Sequence, residues 1–191
     1  MTRQDLHFVD LHACPPQPWR NGGGRTRELL AWPREPDAAD WRLRVSVARI
    51  EHGGPFSAFA GIWRGFAVLQ GQGVTLDLPG GARTLTPADD AIAFDGEAAP
   101  MCHLLDGPTE DLNLMVRRDA GHAALRRARV GDVIDGPTRW RGVFSQGLVH
   151  LDIDDHTTTL PPGTLVWSDG AEASGWRLHD GGPAWFLTLE D

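Results

Sequence analysis

The chain contains no lysine and no tyrosine, and only two cysteines, Cys14 and Cys102, among its 191 residues. Two thiols make neither a disulfide framework nor a zinc cluster; they read as reduced cysteines of an intracellular protein. No apolar run approaches the ~18 residues that a membrane-spanning helix needs, and the opening MTRQDLHFVD lacks the apolar stretch of a signal peptide. Positive charge is also short: 18 basic residues against 26 acidic ones give a formal net charge of -8. By bulk electrostatics that balance argues against nucleic acid or an anionic membrane surface as partner. A soluble cytoplasmic protein is the expectation. With lysine missing, all 18 basic residues are arginine, which with the Ala, Gly and Pro load reads as the mark of a GC-rich genome. Some of these arginines stand where another genome would place lysine, so a single arginine is weaker evidence of anion recognition than usual.

What is present points to β-structure. At 41% hydrophobic residues the chain can bury a core, and 23 glycines with 14 prolines supply turns at a density that favours many short strands. Residues 41–50, WRLRVSVARI, alternate: Trp41, Leu43, Val45 and Val47 on one face, Arg42, Arg44, Ser46 and Ala48 on the other. Short apolar runs recur to the C-terminus, separated by turn signals such as Pro79-Gly80-Gly81 and Asp106-Gly107-Pro108. A repeat is visible. Val68, Leu76, Asp77 and Leu85 match Val143, Leu151, Asp152 and Leu160 at an offset of 75 (151 − 76), and Pro87, Asp95 and Gly96 match Pro161, Asp169 and Gly170 at 74 (161 − 87). The expected architecture is all-β, two double-stranded β-helix (cupin or jelly-roll) barrels in one chain. The N-terminal lobe would run over about 8–118 and the C-terminal lobe over about 130–191. Ala120–Arg129, rich in Ala and Arg, follows Asp119 as a cap and stops before Gly131, so a linking helix is expected over 119–129.

A metal-binding barrel of this kind sets two histidines two apart, then a glutamate about five residues on, because ligands two apart share a strand face. In GGPFSAFAGIWRGFAVLQGQG that register holds Ser57, Phe59 and Arg64. Phenylalanine cannot ligate a metal and guanidinium is permanently cationic. The second repeat offers Pro161, Gly163 and Val166. The eight histidines are scattered without a ligand-spaced pair, leaving only a site assembled from distant strands, for example from His103 and His150. Neither metal nor cofactor is therefore expected. Arg64 instead offers a fixed charge and forked donors suited to a carboxylate, with Ser57 as an extra hydroxyl and Arg44 and Ser46 on one strand face extending a polar lining. The alternative for both arginines is solvation or pairing with acids.

Trp19-Arg20-Asn21-Gly22-Gly23-Gly24-Arg25 is either a flexible turn or a set of exposed N–H groups able to cradle an anion; no phosphate-loop or dinucleotide spacing accompanies it. Asp111, Asn113 and Arg117 alternate onto one face, solvent or pocket wall. No nucleophile motif is present, and Cys102 and His103, being neighbours, point to opposite faces of a strand.

At WRNGGGRTRE (Trp19–Glu28), LRVSVARIEHGGPFSAFAG (Leu43–Gly61) with Arg64, and DLNLMVRR (Asp111–Arg118), the sequence resembles the HutD/Ves family, a bicupin group associated with bacterial histidine utilisation. The resemblance covers the first two-thirds of the chain well and the last third mainly by strand pattern. It implies a small-ligand binder, with N-formylglutamate as a suggested ligand and Arg64 as the ligand-facing arginine. Trp63 departs from the acid that members usually carry there. The leading expectation is a non-catalytic small-carboxylate-binding regulator of histidine utilisation, using Arg64, Arg44, Ser57, Asn21 and Ser46. A cupin-type isomerase or hydrolase and a protein-interaction module are the competing readings. A homodimer is the base-rate expectation for assembly.

Overall fold

The structure is a computed structural model that describes residues 5–33, 41–154, 156–170 and 175–191. Among the described residues the regular structure is all β-strand apart from three short 3-10 turns. The chain divides into two compact units: Cys14–Ala120, and the residues before Cys14 together with Gly121–Asp191. The strands run β1 (His7–Asp10), β2 (Pro16–Pro18), β3 (Gly24–Trp32), β4 (Leu43–Ile50), β5 (Gly54–Pro55), β6 (Ile62–Gln70), β7 (Val74–Leu78), β8 (Gly81–Leu85), β9 (Ile92–Asp95) and β10 (Met101–Leu104). They continue with β11 (Thr109–Arg117), β12 (His122–Ala128), β13 (Val133–Ile134), β14 (Trp140–Ser145), β15 (Val149–Ile153), β16 (His156–Leu160), β17 (Thr164–Ser168), β18 (Trp176–Gly181) and β19 (Ala184–Glu190).

In the first unit a six-stranded sheet, β2-β3-β4-β11-β6-β9, and a four-stranded sheet, β5-β10-β7-β8, share an apolar core. Ile50, Phe66 and Val68 come from the larger sheet, and Val74, Leu76, Leu85 and Cys102 from the smaller. The second unit pairs a five-stranded sheet, β1-β17-β14-β19-β12, with a four-stranded one, β13-β18-β15-β16, around Val143, Leu151, Trp176, Leu178 and Phe186. The repeat reappears as strand register. Val74 pairs with Leu85 in the β7–β8 hairpin, and Val149 with Leu160 in β15–β16.

Two expectations are corrected. Residues 122–128 form strand β12, not a linking helix, and pair with β19 along their whole length, from His122 opposite Glu190 to Ala128 opposite Ala184. Helix propensity is worth only tenths of a kcal/mol per residue, and a ten-residue helix is marginal without packing. As a strand the segment completes a ladder, buries Leu125 and Ala128, and lays Arg126 over Phe186 at 4.7 Å and Arg127 over Trp185 at 4.4 Å. The lobe boundary also differs. Residues 8–13, expected in the N-terminal lobe, belong to the other unit, because β1 covers the open edge of β17 with His7 opposite Trp167 and Asp10 opposite Thr164. The His7 and Trp167 rings stack there at 4.1 Å.

Candidate functional site

The site grows from the alternation of three adjacent strands. In β4, β11 and β6 one set of side chains, Leu43, Val45, Leu112, Leu114 and Ala67 among them, is apolar and buried. The opposite set forms three rows across the sheet: Arg44–Met115–Arg64, Ser46–Asn113–Phe66 and Ala48–Asp111–Val68. A β-strand offers only two faces, and Phe66 and Val68 of this mixed set belong to the core shared with the smaller sheet, so the set faces the interior of the first unit. A cavity of about 440 Å³ opens there, within the range of small-molecule sites. Arg44, Ser46, Ala48, Asn113, Met115 and Arg64 form its sheet wall, and Trp19, Arg20, Asn21, Thr26, Phe56, Ser57 and Phe59 line it further.

All five residues singled out in the sequence therefore lie in one lining, but not equally deep. Arg64 is 9% exposed, Arg44 and Ser46 are partly or fully buried, and Ser57 and Asn21 sit exposed at the mouth. The turn that carries Asn21 is self-contained. Its Oδ1 accepts from the N–H of Gly23 at 3.0 Å, and the Gly22 N–H donates to the carbonyl of Trp19. Those two N–H groups are consumed within the turn, so it serves as a hairpin corner and not as an anion cradle. Gly24 is fixed there by contact, since a Cβ on it would lie 2.3 Å from the Arg49 carbonyl oxygen. Trp19 is held over the cavity by its Nε1–H, which donates to Thr26 Oγ1 at 2.8 Å.

Arg64 is the charged centre. Its Nε and Nη2 both donate to Asn113 Oδ1, at 3.0 and 2.6 Å, and its guanidinium carbon lies 4.3 Å from the Phe56 ring centroid and 5.5 Å from that of Phe94. Among the described residues no carboxylate touches it. Burial, reinforced by repulsion from Arg44, pulls its pKa down to about 10, so it stays cationic at neutral pH. Arg44 is paired, its Nε donating to Glu28 at 2.6 Å. Further in, Asp111 is fully buried; its Oδ2 accepts from Thr109 at 2.7 Å and its Oδ1 has no partner. Burial lifts its pKa to about 7 against the opposing pull of the Thr109 hydrogen bond and Arg64. At neutral pH Asp111 is thus only partly ionised and cancels only part of the Arg64 charge. Cys102, buried beside this pair, is pushed up to about 12 by burial and by Asp111, and is no nucleophile.

Among the described residues the lining offers no imidazole, thiol or carboxylate and presents a buried cation, a donor set that does not fit a metal ion. His103 and His150, the pair considered for a dispersed site, lie on exposed strand faces with their own partners, Asp77 and Thr159. Among the described residues no three metal-ligating side chains gather. Trp63 stands outside the lining, because alternation turns it to the other face of β6 from Arg64. Arg117 ends β11 in an ion pair with Asp119.

Sequence reasoning missed Asn113 as the partner of Arg64, Glu28 as the partner of Arg44, and the aromatic residues Trp19 and Phe56. The signal for Asn113 was present in the alternation of Asp111, Asn113 and Met115, but placing it beside Arg64 requires the β6–β11 pairing.

A family model described as HutD matches residues 11–186. An uncharacterized 21.2 kDa protein in the hutC 3′ region of Pseudomonas putida is 47% identical over 123 residues, 63% of each chain. Protein Ves of Citrobacter koseri is 33% identical over 124 residues, 64% of each chain. These alignments therefore span less than two-thirds of those relatives. HutD from Pseudomonas fluorescens SBW25 superposes with a TM-score of 0.84 at 26% identity, covering 97% of this chain and 98% of that one. Bacillus subtilis oxalate decarboxylase, at 10% identity and a TM-score of 0.64 over 100% of this chain and 78% of its own, shares the fold alone.

Proposed function

Since the chain belongs to the HutD family, a histidine-utilisation-associated group with a cupin-like all-β fold, we propose that it is a non-catalytic receptor for a small carboxylate that governs histidine utilisation in the cytoplasm. Each unit is read as a double-stranded β-helix of cupin type, two per chain, with the ligand in the N-terminal one. N-formylglutamate is the leading candidate, as an intermediate of histidine breakdown carrying carboxylates. The observation that carries the reading is Arg64: a guanidinium buried against Phe56, fixed by Asn113 and, among the described residues, in contact with no acid and lining a cavity to which no acid contributes. Burying a charge without a partner is unfavourable, and an incoming carboxylate relieves that cost with a forked, charge-assisted contact. Among the described lining residues the hydroxyls of Thr26, Ser46 and Ser57 have no imidazole or carboxylate to activate them, which supports binding over turnover.

A charge-assisted contact of this kind contributes about 1.5–3 kcal/mol. Titration calorimetry with N-formylglutamate, urocanate, histidine and glutamate should give heat with at least one of them. Arg64→Met, which keeps the apolar stem against Phe56, should weaken that ligand roughly ten- to a hundred-fold. Binding that survives Arg64→Met unchanged would remove the reading, as would turnover of any of these acids by the purified protein.

A further inference from the structure

The cavity contains more positive charge than a single carboxylate can answer. Among the described residues three arginines line it, Arg20, Arg44 and Arg64, and no acid does. Arg44 and Arg64 occupy one row of the sheet, each the register partner of Met115 from opposite sides. Two strand spacings put their Cα atoms about 9–10 Å apart on the same face. Their bonded nitrogens are also known. Arg64 spends Nε and Nη2 on Asn113, which leaves Nη1 without a hydrogen bond among the described residues. Arg44 spends Nε on Glu28 and sets Nη1 3.9 Å from the Met115 sulfur, which leaves Nη2. Met115 lies between the two as an apolar strip, with Phe56 alongside Arg64. The two guanidinium groups repel each other through this space, since the Arg44 charge destabilises the charged form of Arg64. Glu28 offsets only one of them. Arg20, exposed at the mouth, makes no ion pair among the described residues.

On the premise that this cavity is the ligand site, we propose that it reads two anionic ends and selects short α,ω-dicarboxylates over monocarboxylates, one carboxylate on Arg64, the other on Arg44 with Arg20 at the mouth, and the carbon spacer over Met115. Monoanions such as urocanate and zwitterions such as histidine are then poor ligands, because they leave the second cation uncompensated. Glu28 limits the preference by holding part of the Arg44 charge, so Glu28→Gln should raise affinity for dicarboxylates.

The test uses the full chain and acids matched in carbon number: succinate against butyrate, glutarate against valerate, adipate against hexanoate, with inorganic phosphate as a further arm. In calorimetry at pH 7.5 the best dicarboxylate should bind at least tenfold tighter than its monocarboxylate twin, with an optimum within the series. Arg44→Gln should cost the dicarboxylate at least tenfold more than its twin, and Arg20→Gln, at an exposed position that does not threaten folding, should lower the dicarboxylate preference in the same sense. Equal affinities within each pair would overturn the proposal while leaving Arg64 as a carboxylate anchor. A preference that survives Arg44→Gln and Arg20→Gln would also overturn it, as would phosphate binding as tightly as the best dicarboxylate. Loss of all binding in the wild-type protein would instead remove the carboxylate reading on which it rests.

Discussion

Replacing Asp111 by asparagine isolates the electrostatic cost built into the wall of the cavity. The carboxyl is fully buried, with Oδ1 unpartnered and a pKa of about 7, against about 3.9 for an unfolded aspartate. Between those two values the native state holds a proton that the unfolded chain has released. Stability therefore falls as pH rises through that window and levels off above pH 7, where the native carboxyl must also ionise. Asparagine has nearly the same shape, can accept from Thr109 as Asp111 Oδ2 does, and does not titrate. The attraction of the charged carboxylate to Arg64 is already contained in the shifted pKa, so it is not an additional loss. From pH 5 to pH 8 the stability of Asp111→Asn relative to wild type should improve by roughly 2–3 kcal/mol, at 1.36 kcal/mol per pKa unit. Any fixed penalty for burying the amide N–H groups shifts both ends equally and cancels. The assay is urea denaturation of both proteins at half-unit pH steps, read by tryptophan fluorescence. A difference that stays flat between pH 5 and pH 8 would refute the reasoning, as would one that changes in the opposite direction.

Two further outcomes follow from contacts near the same cavity. Gly24→Ala would push a methyl into the Arg49 carbonyl, 2.3 Å away, and displace β3 from β4, so a loss of about 1–3 kcal/mol is expected, read as a lower denaturation midpoint at unchanged slope. Cys102, 1% exposed and with its thiol raised to about 12, should resist iodoacetamide at pH 8 in the native protein and react once the chain is unfolded, as scored by mass spectrometry of its peptide. Rapid native-state alkylation of Cys102 would contradict the placement of β10.

Much of this protein is written locally. The alternation in residues 41–50 gives β4 and its two faces, and the repeat offset gives two hairpins of matching register, because strand period and turn chemistry are properties of short segments. The mismatch of Ser57, Phe59 and Arg64 with a metal set is equally a matter of residue chemistry. What pairs with what is not local. Residues 122–128 have the composition of a helix and become a strand because β19 supplies a partner along their whole length. The first strand leaves the lobe it precedes in sequence because the edge of β17 needs covering. The site itself belongs to this second class. Arg64 and Asn113 are 49 residues apart and Arg44 and Met115 71 apart, and only the order β4-β11-β6 makes them neighbours. The sequence by itself determined that positions 57, 59 and 64 carry a serine, a phenylalanine and a guanidinium, which is no metal-ligating set; only the tertiary structure decided that the guanidinium would be buried, braced by an amide and, among the described residues, out of contact with a carboxylate, because burial and partnership depend on the strands that close around it.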